Sequence, residues 1–303
     1  MLNDRLARDT DRELVASLMN THNLSVDTEV SHVDADTALG FINGYFSPNN
    51  AVLLESPQFS GLVAAVNMQP DPQRKTFQAE LYCAPDFEPV EDVVDWVIRA
   101  AARENPEWQL APGANAKDVR IIAAWSQFGF QIERRFSVMR LELDGQADGR
   151  GKPDITIKPI DTSNEGQLRT WHALHQNAFS THFGFTPRVF EDWIGIVTRD
   201  PSFDPNGILV GTVEGAPVGF CHMTDEFSSD NRGFVIGLGV AQEHRGHGYG
   251  EALLQAGIAY AASRGYTSVE LAVDTGNESG ALSLYQNVGF EITSAWVHFS
   301  KKK

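Results

Sequence analysis

Hydrophobic residues in the second half of the chain follow two spacings. Apolar positions three and four apart predict helices at 164–180, 248–264 and 279–288. Alternating apolar positions predict strands at 155–158, 208–213, 218–223 and 268–273. A further strand at 234–240 is apolar throughout, so we expect it to be buried on both faces. Strands interspersed with helices in this order predict an α/β protein built on a mixed sheet.

The first half of the chain repeats part of the second half. The segment Ala124-Trp-Ser-Gln-Phe-Gly-Phe130 resembles Leu284-Tyr-Gln-Asn-Val-Gly-Phe290 at an offset of 160 residues. Each segment is followed by an alternating strand, at 136–143 and at 295–299. A polar, glycine-rich stretch separates the halves. We therefore predict two domains, at 1–145 and 154–303, joined by a linker at 146–153.

Length, composition and charge limit the number of domains and the kinds of partner that the protein is expected to have. The length of 303 residues favours two domains, because one core rarely organises so long a chain. The formal net charge of −16 disfavours nucleic-acid and anionic-membrane partners, since each phosphate contact would form against the field of the whole protein. No run of 18 apolar residues occurs in the sequence. We therefore expect a soluble protein.

The cysteine and histidine content bears on compartment and metals. Cys83 and Cys221 stand far apart, which excludes a disulfide framework or a CxxC metal site. The nine histidines form no HExxH motif. We therefore expect a reducing, cytoplasmic location and no metal.

The candidate chemistry lies between the apolar strand and the helix that follows it. The sequence there is His244-Arg-Gly-His-Gly-Tyr-Gly250. Its glycines permit positive φ, so consecutive amides and the positive end of the helix dipole are able to face an anion. The Lys-Ser/Thr of a P-loop is missing, which argues against nucleotide hydrolysis. A pyrophosphate cradle and a plain glycine-rich turn both remain open from this loop alone.

The loop resembles a family motif when it is taken with a second motif downstream. Arg245-x-x-Gly248-x-Gly250 resembles the pyrophosphate loop of the Gcn5-related N-acetyltransferases (GNAT). Asn277, Ala281, Tyr285 and Gly289-Phe290 resemble the second signature of that family. The resemblance is strong over 153–303 and in outline only before it, and tandem mycothiol synthase-like acetyltransferases are most similar in layout. It implies two tandem GNAT-like domains, each a mixed, mostly antiparallel sheet flanked by helices.

The resemblance also implies roles for particular residues, with acetyl-CoA as cosubstrate. Main-chain groups of Leu238, Gly239 and Val240 would pair with the pantetheine arm, and Asn277 would approach its amides. Tyr285 would donate a proton to the leaving thiolate as general acid. The pyrophosphate would be held by amides of Arg245, Gly246, His247, Gly248, Tyr249 and Gly250. The acceptor would be a small amine, and the protein a monomer or homodimer.

Other interpretations of these residues stay open. Tyr285 lies on the apolar face of its helix and fits a core residue, and Asn277 fits a helix cap. Many relatives carry a glutamate base on the strand before the loop, but 233–237 contains no acid. The base would then come from elsewhere, or the amine would arrive neutral. Candidate bases are His182, His222, Asp225 and Glu226.

The first half lacks both chemical features. Its loop Cys83-Ala-Pro-Asp-Phe-Glu-Pro89 has no glycine, two prolines without amide donors and two carboxylates that repel phosphate. Trp125 replaces Tyr285, and an indole N–H does not act as an acid near neutral pH. We predict a catalytically inactive first domain and an N-acetyltransferase second domain. Alternatives are a non-catalytic acyl-CoA-binding module or an aminoacyl-tRNA-dependent transferase.

Overall fold

The computed structural model describes residues 2–28, 32–44, 50–143, 153–182, 185–276 and 280–301. Eight α-helices and twelve strands occur in these ranges. The strands are β1 Asn3–Leu6, β2 Ala51–Glu55, β3 Leu62–Asp71, β4 Thr76–Cys83, β5 Gln109–Asn115, β6 Gln131–Glu142, β7 Thr156–Pro159, β8 Phe203–Val213, β9 Ala216–Thr224, β10 Arg232–Val240, β11 Ser268–Asp274 and β12 Glu291–Ser300. The helices are α1 Arg12–Val26, α2 Ala35–Asn43, α3 Glu91–Glu104, α4 Val119–Gln127, α5 Glu165–Phe179, α6 Phe190–Val197, α7 Tyr249–Ser263 and α8 Ala281–Val288.

The chain forms two compact units. The first unit comprises residues 1–137, 274–276 and 293–303, and the second comprises 138–273 and 277–292. Within the first unit the strand order is β1-β2-β3-β4-β5-β12, and within the second it is β6-β11-β10-β9-β8-β7. In each sheet one parallel pair, β4 with β5 or β10 with β11, adjoins antiparallel pairs. The predicted α/β class with mixed sheets is confirmed.

Most elements predicted for the second half begin and end within two residues of their expected limits, but β8 begins earlier, at Phe203, and so does β12, at Glu291. Helix α5 starts where the Asn164 side chain accepts a hydrogen bond from the Gln167 amide, at 3.2 Å. Strands β8 and β9 are joined by a two-residue turn in which Glu214 and Gly215 have φ of 50° and 83°. Helix α6 was not predicted, because it is short and its first residues have no capping side chain.

The repeat in the sequence is also a repeat in backbone geometry. The Phe130 amide donates to the Trp125 carbonyl at 3.1 Å, and the Phe290 amide donates to the Tyr285 carbonyl at 3.0 Å. Both bonds close the end of a helix at a glycine of positive φ. The two segments therefore share a helix-to-strand turn.

The strand that ends each repeat crosses into the other unit, β6 with its second part and β12 with all but its first two residues. From Val138 onwards β6 is part of the second unit, where Met139 and Leu141 are buried in its core. From Thr293 onwards β12 is part of the first unit, where Val297 and Phe299 are buried. The repeat had predicted instead that each strand belongs to its own half of the chain. The domain boundary itself stays a prediction, since residues 144–152 lie outside the described ranges.

Helices cover both faces of the second-unit sheet. Cys221 and Met223 of β9 point into the core shared with α7 and α8. Phe220, which precedes Cys221 and points to the other face, packs with Trp171 of α5 and Trp193 of α6. Both cysteines of the chain are buried and free. Among the described residues, no helix has the length and apolar character to cross a membrane.

Candidate active site

Strands β10 and β11 separate partway along their length. Their parallel pairing runs from Arg232↔Ser268 to Val235↔Leu271. Strand β10 continues beside β9 as far as Val240↔Gly219, after an irregularity between Val235 and Gly237. Ile236, where the strands diverge, is 46% exposed. The prediction that this strand is buried on both faces is therefore wrong at Ile236. The second half of β10 thus lines a cleft in the sheet.

Glycine in β10 is required by close packing with α5. A Cβ atom on Gly239 would lie 2.7 Å from Ala178 Cβ and 2.7 Å from the Phe220 ring, far inside van der Waals contact. Leu238 and Val240, on either side of Gly239, are half-buried and pack at the margin of the core beneath α7 and α8. The predicted pantetheine contacts at Leu238, Gly239 and Val240 therefore lie along the cleft.

The loop from β10 to α7 presents a run of free amides. Gly246 and Gly248 have φ of 82° and 79°, a conformation that side-chain-bearing residues rarely adopt. The first bond into α7 joins the Ala252 amide to the Gly248 carbonyl at 3.2 Å. Across the described parts of the chain, the six amides of residues 246–251 have no acceptor. Such a run at a helix N-terminus suits an anion.

Arg245 holds the loop in place. Its Nη2 donates to the Ala178 carbonyl at 2.8 Å and its Nε to the Val240 carbonyl at 3.2 Å. Its own amide donates to the Gln242 carbonyl at 3.3 Å. The guanidinium therefore ties the end of α5 to the end of β10. The predicted phosphate contact of Arg245 stays a prediction, and the free amides begin one residue later.

An exposed ring, that of His247, and a half-buried one, that of Tyr249, lie at the end of the loop. The His247 ring stacks on the Tyr249 ring with centroids 5.5 Å apart. His247 Nδ1 lies 3.0 Å from the Arg245 carbonyl. The two rings stiffen the segment that carries the free amides.

Tyr285 lies on α8, in the core that Leu238 and Val240 border. It is 8% exposed and shares a core with Cys221, which stands opposite Leu238 in the β9–β10 register. Burial, and secondly the Cys221 thiol, raise the pKa of Tyr285 above its ordinary value. No hydrogen bond joins its hydroxyl to another described residue, and the hydroxyl oxygen is not among the fully enclosed atoms that lack a partner. Asn277, the other predicted contact, lies outside the described residues.

Histidines lie on the opposite side of β10, beneath α5. Burial, with a smaller contribution from His175, lowers the pKa of His222 to about 3. Burial and neighbouring histidines lower the pKa of the half-buried His175 to about 4. His222 packs against Trp171 with ring centroids 4.9 Å apart. Both imidazoles are therefore neutral near pH 7.

Asp225, proposed above as a base, is already engaged. Its carboxylate accepts from Arg264 at 3.1 Å and from the Tyr266 hydroxyl at 2.5 Å. Two donors at this distance hold the group as an ion pair at the end of β9. His182 packs on Phe179 with ring centroids 4.5 Å apart, on the same side as His175.

The corresponding loop of the first unit uses its amides internally. The amides of Phe87, Asp92 and Val93 donate to loop carbonyls, and that of Val90 donates to the Glu88 carboxylate. Glu91 and Asp92 add negative charge in the first turn of α3. This loop therefore offers few donors to an anion and repels it.

The surface also has a cavity away from these loops. It has a volume of about 310 Å³ and lies at the β7 edge of the second unit, between Lys158, Gln167 and Thr212. The free amides and Tyr285 do not line it. The candidate site is the open cleft of β10 and β11 rather than this cavity.

Comparisons with known proteins agree with this geometry. Residues 168–290 match the Acetyltransferase (GNAT) family. A mycothiol acetyltransferase of Thermobispora bispora is 37% identical over 153 residues, covering 46% of this chain and 51% of that protein. A mycothiol acetyltransferase of Propionibacterium freudenreichii is 36% identical over 204 residues, covering 65% of this chain and 64% of that protein. The aligned parts thus span about half to two thirds of these curated relatives.

Two solved structures share the fold over nearly the whole chain. A GCN5-related N-acetyltransferase from Sphaerobacter thermophilus has a TM-score of 0.80 at 22% identity, covering 99% of this chain and 95% of that one. A tandem GNAT protein from the clavulanic acid biosynthesis pathway has a TM-score of 0.75 at 17% identity, covering 99% and 98%. The second unit therefore carries a domain of the acetyltransferase (GNAT) family, and the chain has the tandem GNAT fold. The resemblance predicted from the two motifs is confirmed.

Proposed function

We propose that the second unit transfers the acetyl group of acetyl-CoA to the nitrogen of a small amine. The observation that carries this proposal is the run of six amides at residues 246–251, beside the β10–β11 cleft, for which the described residues supply no acceptor. A pyrophosphate provides the anionic oxygens that these donors lack. The match of residues 168–290 to the GNAT family supports the same donor.

The cleft supports the binding of the rest of the donor. Strand β10 has an open edge after Val235, where an extended amide-bearing arm adds as a further strand. Main-chain groups of Leu238 and Val240 then pair with the arm. The thioester carbonyl receives an N–H from this strand, which stabilises the oxyanion as the amine attacks.

Tyr285 is assigned as the acid. The amine nitrogen forms a bond to the carbonyl carbon, the carbon–sulfur bond breaks, and the leaving thiolate takes the proton of the Tyr285 hydroxyl. Burial raises the pKa of Tyr285, so the hydroxyl stays protonated until the thiolate forms. The absence of a competing hydrogen bond among the described residues leaves its proton available.

The proton of the amine leaves on the opposite side of β10. Asp225 is held by Arg264 and Tyr266, which argues against its use as a base. His175 is neutral near pH 7 and keeps part of its surface exposed, whereas His222 is buried. Because a pKa of about 4 makes the His175 imidazole a weak base, we propose that the proton passes directly to water.

The acceptor is proposed by chemical class. The net charge of −16 favours a cationic amine over an anionic one. Two relatives bear the name mycothiol acetyltransferase, which places a mycothiol-related amine first among the acceptors to be tried. Other small amines, amino sugars and peptide N-termini complete the panel.

The test combines calorimetric titration with a thiol-release assay on the purified full chain. Saturable binding of acetyl-CoA together with amine-dependent release of free thiol is the expected result. Binding without release across the amine panel would instead indicate a non-catalytic acyl-CoA-binding module. Absence of binding would remove the proposal altogether.

A further inference from the structure

One face of the first-unit sheet carries polar groups where a core face is expected. Asn67 and Gln69 of β3 stand directly opposite Glu80 and Gln78 of β4 in the antiparallel register. Asn67 and Gln69 are buried, and Glu80 is half-buried. Polar side chains in buried positions usually form hydrogen bonds with one another or with a ligand.

The amides on this face are already satisfied by the protein. Asn67 donates to the Phe41 carbonyl and accepts from Gln69 Nε2 at 2.6 Å. A Cβ atom on Gly44 would overlap the Gln69 amide, so α2 ends directly against it. The amide pair opposite Glu80 is therefore not available to neutralise that carboxylate.

Glu80 has a hydroxyl partner but no cation. The Tyr82 hydroxyl donates to Glu80 Oε1 at 2.5 Å. Burial raises the pKa of Glu80, and the Tyr82 hydrogen bond opposes that rise. In the ranges that the structure describes, Glu80 Oε2 has no hydrogen-bond partner and the carboxylate has no ion pair. A carboxylate held away from bulk water gains from a cation, because an unpaired buried charge is costly.

The pairing of β4 with β5 ends next to Glu80, where aromatic side chains lie near Gly113. Pairing of β4 with β5 ends at Ala79↔Pro112, so Glu80 and Gly113 are the next residues on the opposite face. A Cβ atom on Gly113 would lie 4.0 Å from the Trp296 ring and 4.0 Å from His298 Nε2. Trp296 and Gly113 are half-buried, which leaves this stretch of sheet partly open.

The carboxylate of Glu80 and the indole of Trp296 lie two strands apart in the sheet. Adjacent strands are about 4.8 Å apart, so Glu80 and β12 lie on the order of 10 Å from each other. A small molecule with a charged nitrogen at one end and a flat body at the other spans that distance. The nitrogen suits the carboxylate, and the flat body suits the Trp296 ring.

We propose that this face of the first unit binds a small primary ammonium ion carried on a flat, largely apolar body, with Glu80 holding the nitrogen and Trp296 the body. The site lies entirely on strands of the first unit and requires neither the free-amide loop nor Tyr285. It therefore does not rest on the proposed transferase activity. It gives the first unit a ligand of its own.

The experiment uses benzylamine as probe, with benzyl alcohol as its neutral counterpart, and the full chain without acetyl-CoA. Heteronuclear spectra of indole-labelled protein follow the Trp296 resonance, assigned with Trp296→Phe. We expect benzylamine to shift that resonance saturably and benzyl alcohol to leave it in place at the same concentrations. In Glu80→Gln the dissociation constant should rise at least tenfold, because a charge-assisted hydrogen bond is lost.

Two further variants keep the result interpretable. Glu104→Gln makes the same charge change on the exposed end of α3, so its affinity should equal that of the wild type. Gly113→Val adds bulk between Glu80 and the rings without a close contact at Cβ, and should abolish binding with an unchanged melting temperature. Equal affinity in Glu80→Gln and Glu104→Gln would overturn the proposal, as would equal shifts from benzyl alcohol.

Discussion

Tyr285 combines two properties that a core tyrosine seldom shows together. Its ring packs near Phe290 with centroids 6.0 Å apart, and its hydroxyl has no partner among the described residues. The hydroxyl oxygen is not among the fully enclosed atoms without a partner, so water or a bound molecule is able to reach it. A hydroxyl without a protein partner, in the core that Leu238 and Val240 border, suits the role of a proton donor to a bound molecule.

Substitution of Tyr285 by phenylalanine tests the hydroxyl as an acid while it keeps the packing of the ring. We expect Tyr285→Phe to lower turnover by roughly 10²- to 10⁴-fold, the usual contribution of a general acid. Acetyl-CoA affinity should change little, because the ring remains. Thermal unfolding should also change little, since no protein hydrogen bond is lost. Unchanged thiol release on an active acceptor would remove Tyr285 from the mechanism.

His222 makes the stability of the fold depend on pH in a defined direction. Its folded pKa of about 3 lies below the unfolded value of about 6.5. Above pH 6.5 both states are neutral, whereas below it the unfolded chain binds a proton that the folded chain refuses. Stability contributed by this group is therefore lost as the pH falls, by at most about 1.4 kcal/mol per pH unit.

The matching experiment compares the wild type with His222→Phe in urea at pH 7.5 and at pH 5. The variant should gain about 2 kcal/mol of relative stability at pH 5 compared with pH 7.5, because its side chain does not titrate. The pH 7.5 measurement serves as the control for any packing change. A difference between the two proteins that is independent of pH would contradict the assignment.

Residue types and their spacing were sufficient to select candidate site residues, but they did not predict the hydrogen-bond partners of those residues. The sequence marked Arg245 as a cation near phosphate, whereas its guanidinium contacts the carbonyls of Ala178 and Val240. It also offered Asp225 as a base without showing Arg264, 39 residues away, beside it. Long-range hydrogen bonds of this kind are properties of the folded chain.

At the scale of elements, spacing predicted helices and strands better than it predicted their burial. Helices α5 and α7 begin at the expected positions because their caps, Asn164 and Gly248, are local signals. The apolar strand β10 is exposed at Ile236 because its partner β11 diverges, and no periodicity within β10 reports that divergence. A continuous apolar run can therefore line a cleft as well as a core.

The loop before α7 allows a matched test of the free amides. Gly246 and Gly215 both have positive φ, and a Cβ atom on either would meet nothing within 4 Å. Each Gly→Ala substitution should cost about 1–2 kcal/mol of strain. We expect Gly246→Ala to weaken acetyl-CoA binding about tenfold in calorimetry, because the strained loop turns its amides away. Gly215→Ala should bind as the wild type does, and equal losses in both would point to general destabilisation.

The arrangement of the whole molecule was the least predictable feature. Alternation identified β6 and β12 as strands but contains no information about which sheet each one joins. Contacts such as Arg140 with Glu270, at 3.0 Å, tie β6 to β11 across 130 positions of sequence. The exchange of the two final strands follows from those distant contacts.

Loss of the last strand should damage the half of the chain that is farther away in sequence. Deletion of residues 291–303 removes Val297 and Phe299 from the first-unit core and the partner of β5. Amide exchange should accelerate at Ala114 and its neighbours, while amides of β9 and β10 stay protected. Deletion of residues 301–303 alone is the control. Faster exchange confined to the second unit would contradict the assigned strand partnership.

Because β6 and β12 each contribute to the sheet of the other unit, neither copy can be deleted without removing a strand from the remaining sheet. A gene shortened to either copy would encode a sheet without its terminal strand. It would also encode a strand whose sheet belongs to the missing copy. An ancestor could lose the chemistry of one copy by substitution, yet discarding that copy outright would unfold its neighbour. Two separately expressed fragments, cut between the copies, should accordingly become structured only after they are mixed.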